Sequence, residues 1–538
     1  MDTNQIRRWI PAVAAMGGFV LASPAFAQEL KIGLAAEASA LDPHYHALTP
    51  NIQLATQVFE RLTDQDKTQA PQPSLAESWK AIDANTWEFK LRKGVKFTGG
   101  AEFTAADVVY SFCRVPKVEN SPSSFVSHTR NVDNIIVVDP YTVRLTTAAP
   151  FPLMPVTVSN VAIMSATEAG APAGLTYNKE NCTGVSAWPK TDDFNKMKYT
   201  GTGPYKFTQY VPGDRIAMER NEAYWGKKPE WQKVTMRPIT QAAARVAALL
   251  SGDVDFIENP PIQDLPRIKA NANLDMVQGL SNRVIYLHFN YIDDNPPGVS
   301  DAGGKNPFRD KRVREALSLS IDREAIVSRI MGGVAVAAAE FLPNPLAGTN
   351  PGIQAPNHDL DKAKILLAEA GYPNGFGLTI GTPNDRYIND AQVTQAAAQM
   401  IARTGIKAQV DAMTQTTFFA KRTKREFGIW LAGWSADTGE MSNSLRALAG
   451  TPNPATGFGT TNPGGYSNKA MDELLTKALT TVDDKQRNEM LAQASRIAMD
   501  DYGVIPLHFE VTLWAFKKGL TYEAQVNQYT RPDAVGRK

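Results

Sequence analysis

Residues 75–112 read LAESWKAIDANTWEFKLRKGVKFTGGAEFTAADVVYSF, and two different hydrophobic periods follow one another in them. Trp87, Phe89 and Leu91 alternate with polar residues, the pattern of a strand buried on one face. Lys93-Gly94 is turn sequence and Val95-Lys96-Phe97 is again strand-like, so residues 87–97 are predicted as a hairpin. Thr104 stands three residues before Asp107, the spacing of a capping box, ahead of a helix through Val108, Val109 and Phe112.

The same interleaving continues along the chain. Residues 241–250 are an Ala-rich helix stopped at Ser251-Gly252, and the strand-like Val254-Asp255-Phe256-Ile257 follows. Residues 284–289 form another strand. Val313, Ala316, Leu317 and Ile321 share a helical face, and Asp322 caps a second helix ending at Gly332-Gly333. Helices over 361–370 and 390–403 close at Gly371 and Gly405. Short strands mixed with amphipathic helices argue for α/β or α+β lobes, not a sandwich or bundle. With 538 residues the chain exceeds one ordinary domain, and it shows no internal repeat or heptad run.

Its first 27 residues have the layout of a secretory signal: Arg7 and Arg8, an apolar stretch from Trp9 to Leu21, then Ala25-Phe26-Ala27 as a small-x-small cleavage site. Cleavage after Ala27 is expected to leave an exported protein, outside the cytoplasm and without a membrane span, since no later segment has about 18 uninterrupted apolar residues. Removing that segment takes Arg7, Arg8 and Asp2 from the 56 basic and 55 acidic residues and balances the charge at zero. Such a chain has no broad field for nucleic acid or an anionic membrane, so a charged ligand must be met by individually placed residues. Cys113 and Cys182 are the two cysteines. An oxidising compartment permits a disulfide between them, and two buried thiols are the alternative.

Tests for catalysis fail. Gly433-Trp434-Ser435-Ala436-Asp437 starts like a nucleophile elbow, but Asp437 replaces its last glycine. There is no GxxxxGK[ST], HExxH, strand-borne GxGxxG or EF-hand loop. His44 and His46, at i and i+2, are the one close histidine pair, and they read as loop histidines more readily than as metal ligands. Neither a cofactor nor a metal is called for.

Beyond residues 75–112, three further blocks fall in order: GTGPYKF at 201–207, NPFRDKRVREALSLSIDREAIV at 306–327 and GWSAD at 433–437. With LDPH at 41–44 and IPLHF at 505–509, the chain resembles the family 5 extracellular solute-binding proteins. These are the dipeptide, oligopeptide and nickel receptors of ABC importers. Two positions depart from the family's pattern: its FHDG reads Phe97-Thr98-Gly99-Gly100, and its Asp-Pro after the GWSAD block reads Glu440-Met441.

The resemblance implies an α/β, periplasmic-binding-protein-like fold of type II, in the large three-domain cluster, with two lobes closing about a hinge. A discontinuous first domain takes 28–62, 200–285 and 504–538. The second takes 63–199 and the third 286–503, which puts both cysteines in the second. A small peptide-like ligand is enclosed between the first and third domains of a monomer and handed to the permease subunits.

A peptide is a zwitterion, so an enclosed site needs an anion for its ammonium and a cation for its carboxylate. The resemblance places Asp437 at the ammonium and Arg386, in Thr382-Pro383-Asn384-Asp385-Arg386-Tyr387, at the carboxylate. By itself Asp437 also reads as a loop carboxylate, and Arg386 as a surface partner of Asp385 or Asp390. Trp434 offers a flat wall or a core side chain, and Gly433 admits the ligand backbone. His44, Tyr45, His46 and His508 are candidates to face the same cleft. A nickel chelate, opine or sugar-phosphate conjugate is the alternative ligand, and an extracytoplasmic peptidase or peptide chaperone the alternative class.

Overall fold

The computed structural model describes residues 29–538 apart from 180, 181, 183 and 186, so the signal expected over 1–27 lies outside the described residues. A large mixed sheet, twelve-stranded among the described residues, frames the molecule. Five of its strands matter most: β1 (Leu274–Phe289), β2 (Gly377–Pro383), β3 (Lys407–Met413), β4 (Ile429–Ser435) and β5 (Ile505–Lys517). β1 and β5 are paired at its centre. Beyond β5 lie Phe256–Glu258, Glu29–Leu34, Lys233–Pro238, Arg215–Arg220 and Tyr205–Val211. Beyond β1 lie β4, β2 and Val299–Ser300, with β3 alongside β2.

β1 and β5 each serve both halves of this sheet. Leu274–Leu280 of β1 pairs with Val511–Lys517 of β5, and Val284–Leu287 pairs with Ile505–Phe509, with a register break between Leu280 and Val284. β4 pairs only with the later part of β1, Arg283 to Phe289. Phe256–Glu258 pairs only with the late part of β5, Trp514 to Phe516. Ser281-Asn282-Arg283 is therefore the joint between two half-sheets, and a bulge of this kind bends and twists a strand locally.

Both faces of the β1–β2–β4 region are covered, which is why Ile429-Trp430-Leu431-Ala432 is an unbroken apolar run. One face packs Ile285, Leu287, Ile380, Ile429 and Leu431 against Val393 and Ala397. The other packs Val284, Tyr286, Trp430 and Ala432 against Phe418, Leu475 and Leu491. Helices form at Ala242–Ser251, Lys311–Ser320, Leu360–Glu369 and Asp390–Ala402, within two residues of the expected spans.

A second, five-stranded sheet holds Ala76–Asp83 and Thr86–Leu91 together with Thr142–Thr146, Asn134–Asp139 and Tyr177–Asn178. Here the expected 87–97 hairpin is corrected. Thr86–Leu91 pairs backward with Ala76–Asp83 and forward with Thr142–Thr146, so both its edges are taken. Val95-Lys96-Phe97 instead folds onto residues 101–103 around the Thr98-Gly99-Gly100 turn. The capping box forms as expected: Thr104 N donates to Asp107 Oδ2 at 2.7 Å, opening the helix Ala105–Arg114. At the end of that helix Cys113 is bonded to Cys182, with their Cα atoms 5.7 Å apart. No helix among the described residues is long and apolar enough to cross a membrane.

Candidate ligand-binding site

β2, β3 and β4 run parallel, so their carboxyl ends point the same way. Loops beyond such ends form the usual crevice of an open α/β sheet. Arg386 and Tyr387 follow β2, and Gly433 to Asp437 end β4. Tyr387 joins the two loops by donating its hydroxyl to Gly433 O at 3.2 Å. Any Cβ at position 433 would stand 2.7 Å from the Tyr387 ring and 2.8 Å from Ile285 Cδ1, so the close packing of these loops requires glycine. Trp434 is half-buried and donates Nε1 to Asn443 Oδ1 at 2.9 Å.

Asp437 is exposed to solvent just past the end of β4. Surrounding protein raises its carboxyl above the ordinary value, and Arg283 offsets this in part. Among the described residues its carboxylate oxygens accept no hydrogen bond. Arg283 is held elsewhere: Nε donates to Ser435 Oγ at 2.9 Å, and Nη1 lies 3.1 Å from the buried Glu510 Oε2. Tyr529, from the C-terminal segment, completes the surroundings. Burial raises its hydroxyl, Asp437 adds to this, and Arg61 opposes it.

Arg386 is exposed, with its guanidinium carbon 5.2 Å from the Tyr387 ring centroid. Its two sequence-neighbour carboxylates are engaged otherwise. Asp385 accepts from Gln415 N at 2.7 Å, and Asp390 Oδ2 accepts from the backbone N of Arg386 and Tyr387, each at 3.0 Å. A second guanidinium, Arg422, also acts on Tyr387, and its Nε is buried without a partner. Neither Arg386 nor Arg422 forms an ion pair among the described residues.

The four remaining candidates separate. His508 lies on β5 in line with Ile285 and Gly433, buried, with burial lowering its ring to about 4 and neither nitrogen bonded. His44 is inside the protein. Its Nε2 meets Ala162 O at 2.8 Å beside the buried Asp42–Arg114 pair, and burial, then Arg114, lowers its ring to about 3. Tyr45 and His46 are half-exposed on the segment that pairs with Ser123, with no contact to the Asp437 loop among the described residues. A cavity of about 440 Å³, lined by Glu29, Lys31, Asp214 and Arg215 among others, lies on the outer edge of the sheet and touches none of these residues.

The chain thus combines two half-sheets joined by two continuous strands with, among the described residues, a carboxylate that accepts no hydrogen bond and two guanidiniums around Tyr387 that form no ion pair. The chain belongs to the bacterial extracellular solute-binding proteins, family 5, whose profile (middle region) matches residues 70–456. It is 30% identical over 512 residues to the glutathione-binding protein GsiB of Escherichia coli (strain K12), covering 93% of each chain. It is 29% identical over 523 residues to that of Salmonella choleraesuis (strain SC-B67), covering 96% of this chain and 95% of the relative. Among solved structures, it matches the murein tripeptide-binding protein MppA in its unliganded open form with a TM-score of 0.77 and 24% identity. That match covers 95% of this chain and 98% of the other. The ABC transporter-associated periplasmic binding protein DppA from Helicobacter pylori, bound to peptide STSA, matches with a TM-score of 0.72, 24% identity and the same coverage. The fold is thus the type II periplasmic-binding-protein fold.

Proposed function

We propose that this chain is the periplasmic receptor of an ABC importer for short peptides, and that it binds without making or breaking a bond. The observation that carries this is the Asp437 carboxylate: exposed just past the end of β4, raised above its ordinary value by the surrounding protein, and, among the described residues, unmatched by any cation within hydrogen-bonding reach. A ligand ammonium supplies that cation. Arg386 then holds a ligand carboxylate, for which its planar fork is suited. Gly433 and Trp434 form the adjoining wall, and closure bends the sheet at Ser281–Arg283, drawing the Tyr529 side onto the ligand. The lobes that close are those of the domain division expected from the sequence.

The charges narrow the ligand. Around Tyr387, Arg386 and Arg422 are cations that form no ion pair among the described residues, against the Asp437 carboxylate, which accepts no hydrogen bond among them. A peptide carrying two carboxylates and one ammonium balances them, and glutathione, named for the relatives, has that composition. Isothermal calorimetry with glutathione, a neutral dipeptide and a neutral tripeptide tests this. Tightest binding is expected for glutathione. Failure of all three peptides, with binding of a metal chelate or an opine instead, would overturn the peptide reading.

A further inference from the structure

Where β4 ends, two side-chain amides reach the carbonyls of Ala436 and Asp437, the first of which also accepts from Gly439 N at 2.9 Å. Asn282 Nδ2 donates to Ala436 O at 3.0 Å and to Gln69 Oε1 at 2.8 Å. Gln69 Nε2 in turn donates to Asp437 O at 3.1 Å. Both residues are buried, at 4% exposure. Asn282 uses both amide hydrogens, so the Gln69 amide can be oriented only with oxygen toward Asn282 and nitrogen toward Asp437.

Each member of this chain of amides is itself fixed. Gln69 has a φ of 63° in a tight loop wound around Asp66, whose Oδ1 accepts from Thr68 N at 2.8 Å and Ala70 N at 3.0 Å. Gly439 packs onto Gln69 so closely that a Cβ there would stand 2.6 Å from the Gln69 Cβ. Asn282 lies in the register break of β1, and its backbone N donates to Val526 O at 3.2 Å. The loop at 66–70, the joint at 281–283, the end of β4 and the C-terminal segment therefore meet at one point.

We infer that Gln69 and Asn282 are positioning residues that aim Asp437 at the ligand ammonium and tie it to the joint of the sheet. Asn282 sits within the bend, so rotation of one half-sheet against the other leaves the amide chain near the axis and keeps Asp437 in place while the opposite wall moves. Both residues act through Asp437 and do not touch ligand, and the inference rests on the reading of Asp437 as the ammonium anchor.

Gln69→Met and Asn282→Ala, each with the circular-dichroism melting curve recorded beside it, test the inference with glutathione and N-acetylated glutathione. The parent is expected to prefer the free amine, and each variant to lose at least about tenfold of that preference with the weak N-acetyl binding unchanged. A fall that is equal for both ligands means a structural role and overturns the inference. Carbon-13 NMR titration of the Asp437 carboxyl, assigned with Asp437→Asn, decides independently of any ligand. The parent carboxyl is expected above the ordinary aspartate range, and that of Gln69→Met back within it. An unmoved titration overturns the positioning role even if glutathione proves not to be the ligand. A parent that shows no preference for a free amine contradicts the ammonium reading instead.

Discussion

Arg283 Nη1 lies 3.1 Å from Glu510 Oε2 at the joint of the two half-sheets, and Glu510 also accepts from Ile388 N at 3.2 Å. This pairing keeps Arg283 from neutralising Asp437, although its charge still reaches that carboxyl. Glu510→Gln releases the guanidinium. We expect the Asp437 carboxyl to fall toward its ordinary value and affinity for a free-amine peptide to drop by about tenfold, as an internal cation replaces the ligand's. Calorimetry with parent and variant checks this; unchanged affinity would show that Arg283 is not held off by Glu510.

Binding should weaken as pH falls, and earlier than for an ordinary carboxylate. Asp437 takes up a proton above its reference value of 3.8 because burial disfavours the charge. Linkage fixes the sign for stability. A carboxyl raised in the folded state contributes most below its unfolded value, and that contribution is lost as pH rises through the folded one. Asp437→Asn should thus bind peptide poorly at pH 7 while its ligand-free melting temperature equals or exceeds the parent's. A lower melting temperature at pH 7 contradicts this.

Glu340 gives the same sign at a defined pH. It is buried, accepts from Asn350 N at 2.8 Å and Ser495 Oγ at 2.7 Å, and burial raises its carboxyl from 4.5 to about 7. Stability linked to it is present below pH 4.5 and lost as pH rises through about 7. Glu340→Gln should therefore gain melting temperature over the parent on moving from about pH 5 to about pH 8. A constant difference between the two proteins would rule out titration at this site.

The Cys113–Cys182 bond closes a loop of 69 residues within the part of the chain built on the five-stranded sheet. Restraint of the unfolded chain by a loop of that length is worth about 4 kcal/mol in the entropic model. Reduction should lower the denaturation midpoint and leave peptide affinity within about twofold, since the bond ties the part built on the five-stranded sheet while Asp437 follows a strand of the larger one (twofold being about 0.4 kcal/mol). Urea titrations with and without reductant, paired with calorimetry, check both halves.

Asp437, Trp434 and Gly433 were legible as candidates only because they form one contiguous block, GWSAD, that resembles the family's; taken alone, Asp437 also reads as a loop carboxylate. Gln69 and Asn282 were not, since they lie 368 and 154 residues from the carbonyls they support, and an amide in a strand break looks like any other strand residue. His44 shows the converse. Its segment looked like loop, but Asp42 bonds the buried Arg114 across 72 residues, and that pair draws His44 into the interior. The predicted hairpin failed for a similar reason: the alternation of 87–91 was correct, but its partners lay on either side, one of them some 50 residues ahead.

The most direct measurement is calorimetric titration of parent and Asp437→Ala with a free-amine peptide and its N-acetyl form, beginning with glutathione. Losing one partner of an enclosed charge pair costs about 3–5 kcal/mol. Asp437→Ala should therefore weaken the free-amine ligand by at least about a hundredfold, which is about 2.7 kcal/mol, with the ligand-free melting temperature nearly unchanged. Binding by Asp437→Ala as tight as the parent's, for a ligand whose free amine the parent requires, would contradict the ammonium anchor.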